Sequence, residues 1–139
     1  MRFPSEAWVA TVVAAVNGHP DLAAALRGLG DDAVAVVEAE PPALPEDFAV
    51  HARNEGGRIT SVRVLEDPDE IWELEPAYVF RAPYRVWRAL LAGEDPVRAA
   101  LSGRVRVRGD LEALVRRAHY RYIVDAALAG VDTELEGGR

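Results

Sequence analysis

The stretch Arg104-Val105-Arg106-Val107-Arg108, followed at once by Gly109-Asp110, constrains the fold more than any other part of the chain. Strict alternation with a period of two marks a β-strand with one wet face and one buried face. The arginines are therefore expected to face water, and Val105 and Val107 the core. Gly109 supplies a turn and Asp110 a helix N-cap, so the strand must pass directly into a helix. Leu111, Leu114, Val115, Ala118 and Tyr122 recur at i, i+3, i+4, i+7 and i+11, which predicts one long final helix with a single apolar stripe.

The remaining elements follow from turn and cap signals. Ser5 caps a first helix to about residue 17, and Gly18-His19-Pro20 ends it. Asp21 is expected to cap a second short helix through Arg27, closed by Gly28 and Gly30. Residues 33–40 read as a strand ended by Pro41-Pro42. Residues 48–53 and 58–65 flank Asn54-Glu55-Gly56-Gly57 and predict a hairpin. The acidic residues 66–76 read as a loop with a helical turn near Ile71-Trp72, and 77–81 as a fourth strand. Pro83 opens a helix as its first residue and Gly93 closes it. Asp95 caps another helix, with Pro96 at its start, running to Leu101. The order is α-α-β-β-β-β-α-α-β-α. Consecutive strands joined by short turns predict an α+β fold, a five-stranded mainly antiparallel sheet with helices on one face.

Composition narrows the chemistry. The 139 residues fit one domain, of which half are apolar and 28% charged. A chain of that length buries roughly two-thirds of its unfolded surface, so its core is large enough to be hollowed. There is no cysteine, which excludes disulfides, thiolate nucleophiles and cysteine-ligated metals. All 16 basic residues are arginine, so no lysine is present to form a Schiff base. Such Ala, Arg, Gly and Glu usage is expected of a high-GC bacterial, thermophilic source. A net charge of −7 argues against a nucleic-acid partner, although residues 98–121 carry seven arginines against Asp110 and Glu112. The N-terminus lacks a signal core and no apolar run approaches membrane-spanning length. A cytoplasmic location without a membrane anchor is expected.

Between Pro83 and Arg117 lie Trp87, Leu90-Leu91-x-Gly93, Asp95-Pro96, Ala99-Ala100, Ser102-Gly103, the alternating strand and Gly109-Asp110-Leu111. In this order over about a quarter of the chain, these residues resemble the sterol carrier protein (nonspecific lipid-transfer) family. The resemblance implies a five-stranded sheet whose helices enclose a hydrophobic tunnel for fatty acyl chains, acyl-CoA or sterols. Two departures stand out: arginine replaces the lysine often found on the basic strand, and Glu136-Gly137-Gly138-Arg139 is no peroxisomal targeting tripeptide. A prokaryotic setting disfavours sterol itself.

Such a site needs little beyond a concave apolar lining. Burying about sixteen methylenes gains roughly 12 kcal/mol gross, against an association cost of about 4–15 kcal/mol. The expected lining is Phe80, Trp87, Leu91, Leu101, Val105, Val107, Leu111, Leu114, Val115 and Tyr122. For any one of them taken singly, an ordinary core position is the commoner role. Trp87 and Tyr122 stand out because each joins an apolar body to a polar tip. Arg104, Arg106 and Arg108 lie opposite the valines and cannot share a sheet face with a tunnel wall. No catalytic residue, metal or cofactor is expected. His19, His51 and His119 lack ligand spacing, and Ser5, Ser61 and Ser102 lie in no nucleophile elbow. Two rivals stay open: an interaction module with a filled core, and an accessory enzyme domain using Asp67 or Glu70 of the acidic loop.

Overall fold

The computed structural model describes residues 1–135; Glu136–Arg139, the segment lacking the targeting tripeptide, lies outside the described residues. The elements are β1 (Arg2–Phe3), α1 (Glu6–Asn17), α2 (Leu22–Leu26), β2 (Asp32–Glu38), β3 (Phe48–Glu55), β4 (Arg58–Leu65), α3 (Glu70–Leu74), β5 (Tyr78–Pro83), α4 (Tyr84–Leu91), α5 (Pro96–Leu101), β6 (Arg106–Arg108), α6 (Leu111–Arg116), a 3-10 turn (Ala118–Tyr120), α7 (Arg121–Ala129) and β7 (Glu134–Leu135). Five strands form one sheet in the order β4-β3-β2-β5-β6. Three of its pairings are antiparallel, and β2 with β5 is parallel. The parallel pair arises because the chain completes the β3–β4 hairpin on one side of β2 and returns through α3 to its other side.

Caps behave as the side chains dictate. The Ser5 hydroxyl accepts from Trp8 N–H at 3.1 Å, the Asp95 carboxylate from Val97 at 2.9 Å and the Asp110 carboxylate from Ala113 at 3.1 Å. Asp21 does not cap α2, because its carboxylate instead accepts the Tyr122 hydroxyl at 2.6 Å. Pro83 is the last residue of β5 and the cap of α4 rather than its first residue. The expected strand from Arg104 begins only at Arg106, since the amides of Arg104 and Val105 both donate to Ala99 O, at 2.9 and 3.1 Å.

The long final helix is where expectation and structure part most clearly. It breaks at Arg117, whose amide donates to Leu114 O in a 3-10 step, and resumes as α7. The stripe from Leu111 to Tyr122 contains no buried residue; in this region burial falls on Ile123 and Ala127. Those two pack with Val16, Leu22 and Ala25, joining α7 to α1 and α2. A parallel pair that the sequence did not announce, β1 with β7, ties Phe3 to Leu135 beside Trp8 and Tyr84.

The acidic loop carries α3, and α3 covers the sheet face opposite the other helices. Ile71 and Leu74 pack onto Val34, Val36, Ala49, Leu65 and Val79. Two contacts anchor it: Arg63 donates to Glu70 at 2.9 Å, and the Arg108 guanidinium sits 5.2 Å from the Trp72 ring centroid. The Arg63 hydrogen bond holds the Glu70 carboxyl below its usual range.

Gly109 is the tightest point of this architecture. Its φ is +129°, and a Cβ there would lie 2.7 Å from Ala77 O and collide with the Tyr78 ring. Gly109→Ala is expected to cost about 2–4 kcal/mol. Gly103→Ala, at φ +80° with open space around it, should cost only about 1 kcal/mol. Urea denaturation of the two variants measures the difference.

Candidate functional site

Residues in register on neighbouring strands share a sheet face. The register therefore defines a row that crosses the whole sheet: Val64, Val50, Ala35, Phe80 and Val107, one residue from each strand. All five are apolar and all five are only half-buried. The row one residue away faces the other side and reads Arg63, His51, Val34, Val79 and Arg108. There Val34 is 0% exposed, and buried His51 donates from Nε2 to Asp32 at 2.8 Å.

This distribution inverts the usual one. The face beneath the larger helical layer is expected to be the drier, yet its middle is the wetter. The reason lies in where the helices make contact. At one end of the strands, Val37 packs with Phe3, Trp8 and Tyr84, with Phe48 and Trp87 against them. Near the hairpin end, Ile59 joins the cluster of α1, α2 and α7. Asn17 locks that junction, its side-chain amide donating to Ile59 O and accepting from Ile59 N–H, both at 2.9 Å. Between these two clusters the row keeps partial solvent access, with Phe80 and Val107 at its other margin packed on Val86 and Ala99. Ala33, Ala52 and Val62, on the same face toward the hairpin, are also half-buried.

The ten residues expected to line a ligand site divide into three groups. Phe80 and Val107 are in the row, and Val105, Trp87 and both of them meet around Ala82, Val86 and Ala99. Leu91 joins the neighbouring cluster with Trp87. Trp87 is pinned, its indole N–H donating to Val36 O at 3.0 Å and Ala82 O at 3.1 Å. Leu111 and Leu114 of α6 are half-buried, and Val115 is exposed. Leu101 is 66% exposed and Tyr122 45%.

The row residues not singled out in the sequence are Ala35, Val50 and Val64. Their signal was present in the alternation of β3 and β4, where Val50 and Ala52 share a face, as do Val62 and Val64. Tyr78 lies beside the row, stacked on Phe80 at 5.9 Å with its hydroxyl donating to Asp110 O; burial raises its pKa. Two open clefts of about 410 and 360 Å3 lie elsewhere, the first between α2 and the β3–β4 turn, the second beside Arg85, Arg104 and Arg106. Among the described residues, no three His, Asp or Glu side chains are grouped to hold a metal, and no helix is long and apolar enough to cross a membrane.

No protein-family model and no curated protein matches the chain. Solved structures do. A crystal structure of sterol carrier protein 2 superposes with a TM-score of 0.73 at 21% identity, covering 89% of this chain and 95% of its own. The solution structure of a conserved hypothetical protein from Thermus thermophilus, described as possibly a sterol carrier protein, gives 0.75 at 20% identity, covering 96% and 92%. A ubiquinone synthesis protein, UbiJ-SCP2, gives 0.55 at 18%, covering 95% and 99%. The chain has the sterol carrier protein 2 fold.

Tyr122 itself acts as a clasp between α7 and the residue preceding α2. Its hydrogen bond to Asp21 pushes the phenol pKa up to about 12. The neutral form is the one stabilised, so this contribution is present below the ordinary tyrosine range and lost as pH rises through the raised value. In Asp21→Asn, ultraviolet titration is expected to show one tyrosine returning toward about pH 10. An unchanged titration curve would remove Asp21 as the cause.

Proposed function

We propose that this chain binds and carries an apolar, lipid-like molecule, taken up against the row Val64–Val50–Ala35–Phe80–Val107 and released unchanged. The half-wet state of that row, at the middle of an otherwise packed domain, is the observation that carries the reading. Leaving apolar side chains in contact with water is unfavourable in proportion to their area, and an alkyl chain removes the penalty. The structural neighbours agree in kind, since their names speak of sterol carriage and of ubiquinone synthesis.

In this reading Trp87, Leu91 and Val105 wall one end of a tunnel. Leu111, Leu114 and Val115 of α6 close over it, with Leu101 and Tyr122 at its rim. A fatty acid or fatty acyl-CoA suits it better than a sterol. The ligand is held by burial, so neither catalytic group nor cofactor is needed, and the setting is the cytoplasm. Glu70 is engaged by Arg63 and the Asp67 carboxylate accepts Asp69 N–H at 2.9 Å, which supports a structural role for the acidic loop over an enzymatic one.

Val50→Phe separates a ligand gap from a filled core. Over a gap, the larger ring is accommodated, stability changes by less than about 1 kcal/mol, and uptake of a fluorescent fatty acid falls at least about tenfold. In a flush interior the same change overpacks and costs about 1–3 kcal/mol. That result, or a parent protein that takes up no fatty acid, defeats the proposal in favour of an interaction module.

A further inference from the structure

Three arginines converge on the second cleft. Arg85 from the first turn of α4, Arg104 from the α5–β6 connection and Arg106 from β6 line it with Pro83, Val86 and Gly103. Each guanidinium is held by a glutamate. Arg85 donates to Glu40 at 2.9 Å, and Arg104 to Glu94 at 2.9 Å with a second contact that makes the pair two-pronged. Arg106 donates to Glu38, which also faces Arg81 at 3.7 Å. Glu40 is fixed in turn by the Arg85 backbone N–H at 2.7 Å, and these bonds hold its carboxyl below the usual range.

This arrangement orients the arginines without saturating them. A guanidinium carries five N–H donors, and each glutamate here takes one or two. Four guanidiniums, Arg81 included, stand against three carboxylates, leaving one positive charge in a protein of net charge −7. Guanidinium geometry matches oxyanions with two parallel hydrogen bonds, and phosphate offers enough oxygens for several such groups at once. The cleft, about 360 Å3, has an apolar wall at Pro83 and Val86, so it has room for whatever the phosphate is attached to. Leu101, 66% exposed, ends α5 just before the turn into Gly103 and Arg104.

We propose that this cleft is a binding site for a phosphate group borne on a larger molecule, either a free phosphoester or the headgroup of a lipid in a bilayer. The site is distinct from the apolar row and does not rest on it, because inorganic phosphate has no tail to bury.

The test is titration of the whole chain with inorganic phosphate at low ionic strength, observing arginine Nε–H signals by NMR, together with co-sedimentation on phosphatidylglycerol and phosphatidylcholine vesicles. Saturable shifts are expected at Arg85, Arg104 and Arg106 and not at Arg53 or Arg58 of the hairpin. The double variant E94Q/R104Q keeps the charge balance and should bind at least about tenfold more weakly. Saturable phosphate binding without vesicle binding supports the site and identifies a free phosphoester. Phosphatidylglycerol binding that weakens both in Leu101→Asp and in E94Q/R104Q supports it and identifies a headgroup. Uniform shifts at every arginine, no response to either probe, or undiminished binding in E94Q/R104Q overturns the proposal. Fatty-acid uptake by E94Q/R104Q should equal that of the parent, so the fate of the apolar row is read separately.

Discussion

The central strand β2 bears opposite obligations on its two faces, and the architecture follows from them. Val34 and Val36 point to one side and are sealed by α3. Ala33 and Ala35 point to the other, where neighbouring strands supply Val50, Phe80 and Val107 and all five side chains stay only half-buried. Dense packing on the first face offsets the exposure of apolar side chains on the second. Interior packing in proteins is close to crystalline, so leaving one apolar row half-wet requires such compensation. The short α3, clamped by Arg63 and by the Arg108–Trp72 contact, therefore matters to the sheet as much as the helices on its other side.

Local chemistry was readable in the sequence; long-range geometry was less so. Caps at Ser5, Asp95 and Asp110, the hairpin at Asn54–Gly57 and the outward arginines of β6 all declare themselves within a few residues, because backbone donors and period-two alternation act over that range. The resemblance carried by residues 83–117 anticipated the fold that the superpositions show. The break at Arg117 escaped notice because the apolar spacing continues across it, and nothing local signals that its guanidinium reaches Arg27 O at 3.0 Å. The pairing of β1 with β7 depends on residues over 130 positions apart, each strand too short for periodicity.

The candidate site was legible in part for a related reason. Large side chains such as Phe80 and Trp87 advertise themselves, whereas small ones on the same face do not. Ala33 and Ala35 reveal their role only once the register is known. Likewise, alternation placed Arg104 and Arg106 away from the valines, and the structure bears that out; the approach of Arg85 from another element, which turns an exposed edge into a cleft, has no trace in the local pattern.

The bidentate grip of Asn17 on Ile59 has a consequence beyond the junction it locks. Ile59 lies on β4, a marginal strand with unpaired amides and carbonyls that invite other chains to add on. Asn17 occupies one donor and one acceptor there with its own amide, imitating a neighbouring strand. At the opposite margin β6 is only three residues long and two of them are charged. A molecule with a half-wet apolar face is a natural seed for fibrillar association, and blunting both flanks of its sheet shortens the template on which a fibril would grow.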